Sequence, residues 1–181
     1  MRRISLLSVA STTRATMAVL LLTHGLAFAQ DVTAPALKAS YIYNFAKFTE
    51  WPAGLVPAAQ PFVLCVLGDI AVGDALEQAV KGRELAGHSL TVSRVTRTGL
   101  GGVCHVLYVS GVTTSQAAQL VAGLRDVPVL TISDVERFTE LGGIAQLFFE
   151  YGRLRFIIQR EAATRARLQI SSRLLALAKR Q

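Results

Sequence analysis

Cysteine, charge and catalytic signatures are the scarce features of this sequence. Two cysteines in 181 residues cannot build a disulfide scaffold or a four-thiolate metal site. No His-Glu-x-x-His, Gly-x-Ser-x-Gly or phosphate-cradling Gly-x-x-x-x-Gly-Lys-Ser/Thr occurs, so the common zinc, nucleophile-elbow and nucleotide-binding signatures are missing, and no cofactor or metal is expected. Only 17% of residues are charged against 51% hydrophobic, which excludes an intrinsically disordered chain. The length suits one domain with its own core.

The net charge of +7 would fit a nucleic-acid binder if it were spread over the fold, but it is not. Residues 1–29 hold Arg2, Arg3 and Arg14 and no acid, then an apolar run ending in Ala27-Phe28-Ala29. That layout is a secretory signal peptide with cleavage expected after Ala29. The alternative, an uncleaved anchor, has only Ala15 to Ala29 to use, interrupted by His24 and Gly25. A bilayer span needs about 20 apolar residues. The remaining 30–181 carries 16 basic and 12 acidic residues, and from 151 onward eight basic residues face a single acid, Glu161. The body is faintly acidic and the excess sits in the last segment; with export from the cytoplasm expected from residues 1–29, no nucleic-acid partner is expected.

Apolar periodicity predicts alternating helices and strands. Thr33 and Pro35 open a helix whose Leu37, Tyr41, Phe45 and Phe48 share one face, ended by Trp51-Pro52. The runs at 61–68, 103–109 and 128–133 read as buried strands, 89–95 alternates at period two, and Gly99 to Gly102 is a break. Helices are expected at 72–81 (Val72, Leu76, Val80) and from Thr113 through Leu124. Two strands, 144–150 and 154–158, flank a turn at Tyr151-Gly152, and 160–180 is helical with a break near Gln169 to Ser172. The expected fold is one α/β domain with a mixed sheet of about six strands flanked by helices.

Cys65 and Cys104, 39 residues apart, are open to two readings, a bond in an oxidising compartment or two buried thiols. Asp69, Ser110 and Asp134 each follow a predicted strand, where ligands bind in open α/β sheets; these residue types also cap helices and turns. His105 lies in a strand and reads as a core residue rather than a metal ligand. Tyr43 and Trp51 fall off the apolar stripe of the first helix, and exposed aromatics of this kind anchor interfaces or pack under the 53–61 loop. On the last helical segment Ile170, Leu174 and Leu177 share one arc while Arg165, Arg173, Lys179 and Arg180 gather opposite, a basic stripe that fits an acidic partner or a solvated face.

The segments SYIYNFAKFTEWP (40–52), LCVLGD (64–69), CHVLYVS (104–110), PVLTISD (128–134), GGIAQLFFEYGRLRFII (142–158) and ISSRLLALA (170–178) together resemble the YfiR-like family of periplasmic proteins. The resemblance implies a non-enzymatic regulator that binds the periplasmic sensor domain of a membrane-anchored diguanylate cyclase or kinase and represses it, touching the membrane only through that partner. It also implies that Cys65 and Cys104 are bonded. Family members with a second cysteine pair carry it where this chain has Thr139 and Gln146. Partner-binding residues expected on this reading are Tyr43, Trp51, Arg165 and Arg173, with a homodimer as a further assembly. The competing class is a periplasmic small-molecule binder using Asp69, Ser110 and Asp134.

Overall fold

A computed structural model describes residues 33–97 and 104–180. The expected signal peptide and the expected Gly99 to Gly102 break lie outside the described residues. Among the described residues the chain forms five helices and nine strands.

Helix α1 (Ala34–Lys47) starts where expected: the Thr33 hydroxyl accepts from the Ala36 amide, and Pro35 sits in the first turn, where its missing N–H costs nothing. Its buried face is Ala39, Ile42, Phe45 and Ala46; Leu37, Tyr41 and Phe48 are only half-buried. The predicted stripe is therefore rotated. α1 packs against α2 (Ile70–Val80) as well as the sheet, and the alanines let the two helices approach closely. The chain then passes through the short strand β1 (Thr49–Glu50) into the Trp51 loop.

The main sheet has seven strands, in the order β3-β4-β2-β5-β6-β7-β8. Strands β2 (Phe62–Leu67), β4 (His88–Arg94), β5 (Val106–Val109), β6 (Leu130–Ser133) and β7 (Ala145–Glu150) run parallel, while β3 (Glu84–Leu85) and β8 (Arg153–Ile158) close the two edges antiparallel. One strand more than expected is present because β3, only two residues long, has no periodicity to read. Side-chain alternation explains the near-continuous apolar runs. Leu64, Val66, Val106 and Tyr108 point to the face covered by α1 and α2, while Cys65, Leu67, Leu107 and Val109 point to the face that packs on Leu120 and Leu124 at the end of α3 (Thr114–Gly123).

The β7–β8 hairpin turns on Tyr151 and Gly152, both at positive φ (49° and 72°), the conformation that a two-residue turn of this twist demands. The carboxyl-terminal segment is not one helix. α4 (Arg160–Arg165) stops, Gln169 and Ile170 form β9 against β1, and the Ser171 hydroxyl caps α5 (Ser172–Leu177). Leu168 and Leu174 are buried on this path, whereas Leu177, expected on the same apolar arc, is 73% exposed.

Cys65 and Cys104 are joined by a disulfide with the Cα atoms 5.7 Å apart. It fastens β2 to the entry of β5 and closes a 39-residue separation, which in the chain-entropy account is worth about 4 kcal/mol.

Candidate functional site

The parallel register places Leu67, Val109 and Ser133 side by side, so the residues that follow them, Asp69, Ser110 and Asp134, converge at one end of the sheet. Gly68 permits this. It has φ +88°, and a Cβ there would overlap the Ser110 carbonyl oxygen. Sequence reasoning brought these three residues to one end, but missed the two that complete the cluster. Lys38, from the second turn of α1, reaches across the strand ends with its Nζ 2.6 Å from Asp134 Oδ2 and 4.0 Å from Asp69 Oδ2. Tyr108 and Ser110 donate their hydroxyls to the same Asp134 oxygen at 3.0 and 3.1 Å.

Asp69 also caps α2 through Oδ1 and the Val72 amide, at 3.0 Å. Asp134 does not cap; the following turn is held by the Ser133 hydroxyl, which accepts from the Val135 amide. Burial and the neighbouring Asp134 carboxylate push the Tyr108 phenol well above its ordinary pKa, so it stays a donor. The cluster thus clamps α1 onto the sheet, with one ammonium and two hydroxyls committed to Asp134. Among the described residues, no three His, Cys, Asp or Glu side chains come together in a way that could hold a metal ion.

His105 is buried just before β5. It stacks on Phe62 at 4.6 Å and accepts the Val63 amide on Nδ1 at 2.9 Å. Its proton is therefore on Nε2, which has no partner among the described residues. Burial lowers its pKa.

The aromatic residues expected at an interface are engaged within the chain. The Arg83 guanidinium lies 4.9 Å over the half-buried Tyr43 ring. Trp51 donates its indole N–H to the Pro128 carbonyl at 3.1 Å and meets Phe62 edge-on at 4.8 Å. Arg165 and Arg173 are both exposed but lie on different helices, separated by β9. Lys179 turns away to Glu150, so the basic stripe is divided.

Arg173 borders a groove of about 430 Å³ between α1, β8 and α5. Its floor is the aromatic cluster of Tyr41, Phe45 and Phe156, with Phe45 and Phe156 4.9 Å apart. Asn44, Phe48, Arg155 and Leu177 complete its walls. Sequence reasoning counted Arg155 in the basic excess from 151 onward but did not single it out, because it sits on β8 and not on the helical stripe.

The model of the YfiR/HmsC-like family matches residues 35–179, nearly all of the folded body. The chain belongs to the YfiR/HmsC-like family. That family comprises periplasmic regulators of cyclic-di-GMP signalling rather than enzymes, and its members work through a partner protein. No curated protein matches the chain at a significant level. Among the described residues of this YfiR/HmsC-like chain, no helix is long and apolar enough to cross a membrane.

Proposed function

We propose that the chain is exported, cleaved after Ala29, and represses a membrane-anchored diguanylate cyclase, or a similar sensor kinase, by binding that protein's periplasmic domain. The observation that carries this reading is the family match across residues 35–179. The basic start, apolar run and Ala-Phe-Ala of residues 1–29 support export. The clamped strand-end cluster supports a binding role, since its carboxylates are spent on structure rather than left open to a reactant. Repression of this kind requires a difference in affinity: the protein binds the quiescent conformation of the sensor better than the active one. Tyr43, Trp51, Arg165 and Arg173 are the residues assigned to that contact, through the exposed parts of the rings and through charge.

Deleting the gene should raise cellular cyclic-di-GMP, and supplying the full chain should restore it. Recovery from the periplasmic fraction of a protein beginning at Gln30 tests the export step. Unchanged cyclic-di-GMP on deletion would refute repression. A second reading is favoured by the convergence of Asp69, Ser110 and Asp134 at the strand ends: a small-molecule binder in which Lys38 gives way to a cationic ligand. A thermal-shift screen separates the two, because a ligand bound there raises the unfolding midpoint by mass action.

A further inference from the structure

We propose that the groove between α1, β8 and α5 docks an acidic segment of the partner protein, one that presents a large apolar side chain flanked by carboxylates. The proposal rests on the repressor reading above and names the chemistry of its contact. The groove's volume, about 430 Å³, takes one or two large side chains. Its floor is apolar, with Phe45 and Phe156 buried beneath it. On its wall Leu177 is 73% exposed, an apolar side chain that the fold does not cover.

Charge selects the occupant. Arg155 and Arg173 are exposed at the rim, and among the described residues no acid lines the groove. Neither guanidinium has an ion pair or hydrogen bond among the described residues, whereas Arg94 is held by Asp74 and Glu77 and Arg137 by Glu140. Two free forks beside an apolar slot match carboxylates bracketing a hydrophobic anchor. A second copy of the chain fits poorly, because a two-fold contact through this face would set guanidinium against guanidinium. Strand addition is blocked as well. The outward carbonyls of Leu154 and Phe156 on β8 already accept from the Tyr41 hydroxyl at 3.1 Å and the Lys179 amide at 2.8 Å.

The test uses the full chain in intact cells of the source strain, with a photo-crosslinking amino acid in place of Leu177 and, as control, in place of the exposed Gln119 on α3, over the opposite face of the sheet. Position 177 should crosslink to a protein segment rich in Asp and Glu around a large apolar residue. The Arg155→Glu/Arg173→Glu double substitution should cut that yield about tenfold or more, as expected when rim charges oppose their partner. Position 119 should give little of the same product. No crosslink at 177, or one to a second copy, to phospholipid or to an uncharged or basic segment, overturns the proposal. So does a yield indifferent to the double substitution. Deletion of the gene is scored separately. If cyclic-di-GMP is unchanged on deletion while the acidic crosslink forms, the repressor reading fails and the groove assignment stands.

Discussion

The amino-terminal half of α1 drops Lys38 into a polar cluster where Asp134 receives three donors. The carboxyl-terminal half of the same helix presents Asn44 and Phe48 to a groove whose two arginines have no partner among the described residues. The first region contains the residue types usually read as chemistry, two carboxylates, a lysine and a tyrosine, yet it is closed on itself. The second has no carboxylate among its described lining residues, and its one hydroxyl, that of Tyr41, is spent on the Leu154 carbonyl; this is where the chain leaves binding capacity unused. Polar residues that satisfy one another hold a fold together; charged and apolar groups left without partners at one place are what a recognition surface needs.

This contrast can be broken by substitution, and the largest effects should fall on groups closed within the fold, the disulfide first and the strand-end cluster next. Replacing both Cys65 and Cys104 with Ala removes the fastening between β2 and β5 and should lower unfolding free energy by about 4 kcal/mol in the chain-entropy account. Urea denaturation of the oxidised protein and the double variant measures it, and dithiothreitol should produce the same shift in the wild type alone. Next comes Asp134→Ala, which leaves the Lys38 ammonium only Asp69, at 4.0 Å, and takes the acceptor from the Tyr108 and Ser110 hydroxyls. Both charged side chains keep some solvent contact, 16% for Lys38 and 23% for Asp134. The expected loss is therefore about 2–4 kcal/mol, at or below the range for breaking a fully buried pair. A cost near zero in equilibrium denaturation would mean that the cluster is not a clamp.

The two regions also differ in how far they could be read from sequence. Asp69, Ser110 and Asp134 were visible because each follows a buried strand, and parallel strands in register bring such positions together. Lys38 was not, because its role depends on how α1 lies across the sheet. The rotated stripe of α1 has the same origin: Ala39 and Ala46 are chosen for burial by the neighbouring α2, a tertiary fact that periodicity within one helix does not contain. In the groove, Arg173 was legible as part of the basic tail, and the break that lets β9 form was legible from Leu168 falling off the helical arc. Arg155 and the exposed Leu177 were not, since the groove exists only once β8, α1 and α5 are assembled.

A smaller effect probes the start of β5, at the other end of the parallel strands from the Asp134 cluster. His105 is held neutral, with Nδ1 accepting the Val63 amide and burial pulling its pKa below the ordinary 6.5. The unfolded chain takes up a proton near 6.5 that the folded chain refuses, so stability is fully present above pH 6.5 and falls as the pH drops from there toward the lowered folded value. His105→Asn keeps an acceptor for Val63 and removes the titration. It should flatten the dependence of the denaturation midpoint on pH in that window, and an unchanged slope would assign it to another group.

The smallest expected change is the one that sharpens the comparison most. The guanidiniums of Arg155 and Arg173 are exposed and make no hydrogen bond or ion pair among the described residues, so folding gains nothing from their charges. Converting both to Glu should leave the unfolding free energy within about 0.5 kcal/mol of the wild type, as for surface positions away from caps, cores and networks. Were the two guanidiniums supporting the groove as Lys38 supports the strand ends, reversal would instead cost as much as breaking the clamp. Denaturation curves of Arg155→Glu/Arg173→Glu and Asp134→Ala, measured side by side, therefore separate a structural polar group from a recognition group without knowledge of the partner. Equal losses in the two variants would erase the distinction between the two ends of α1.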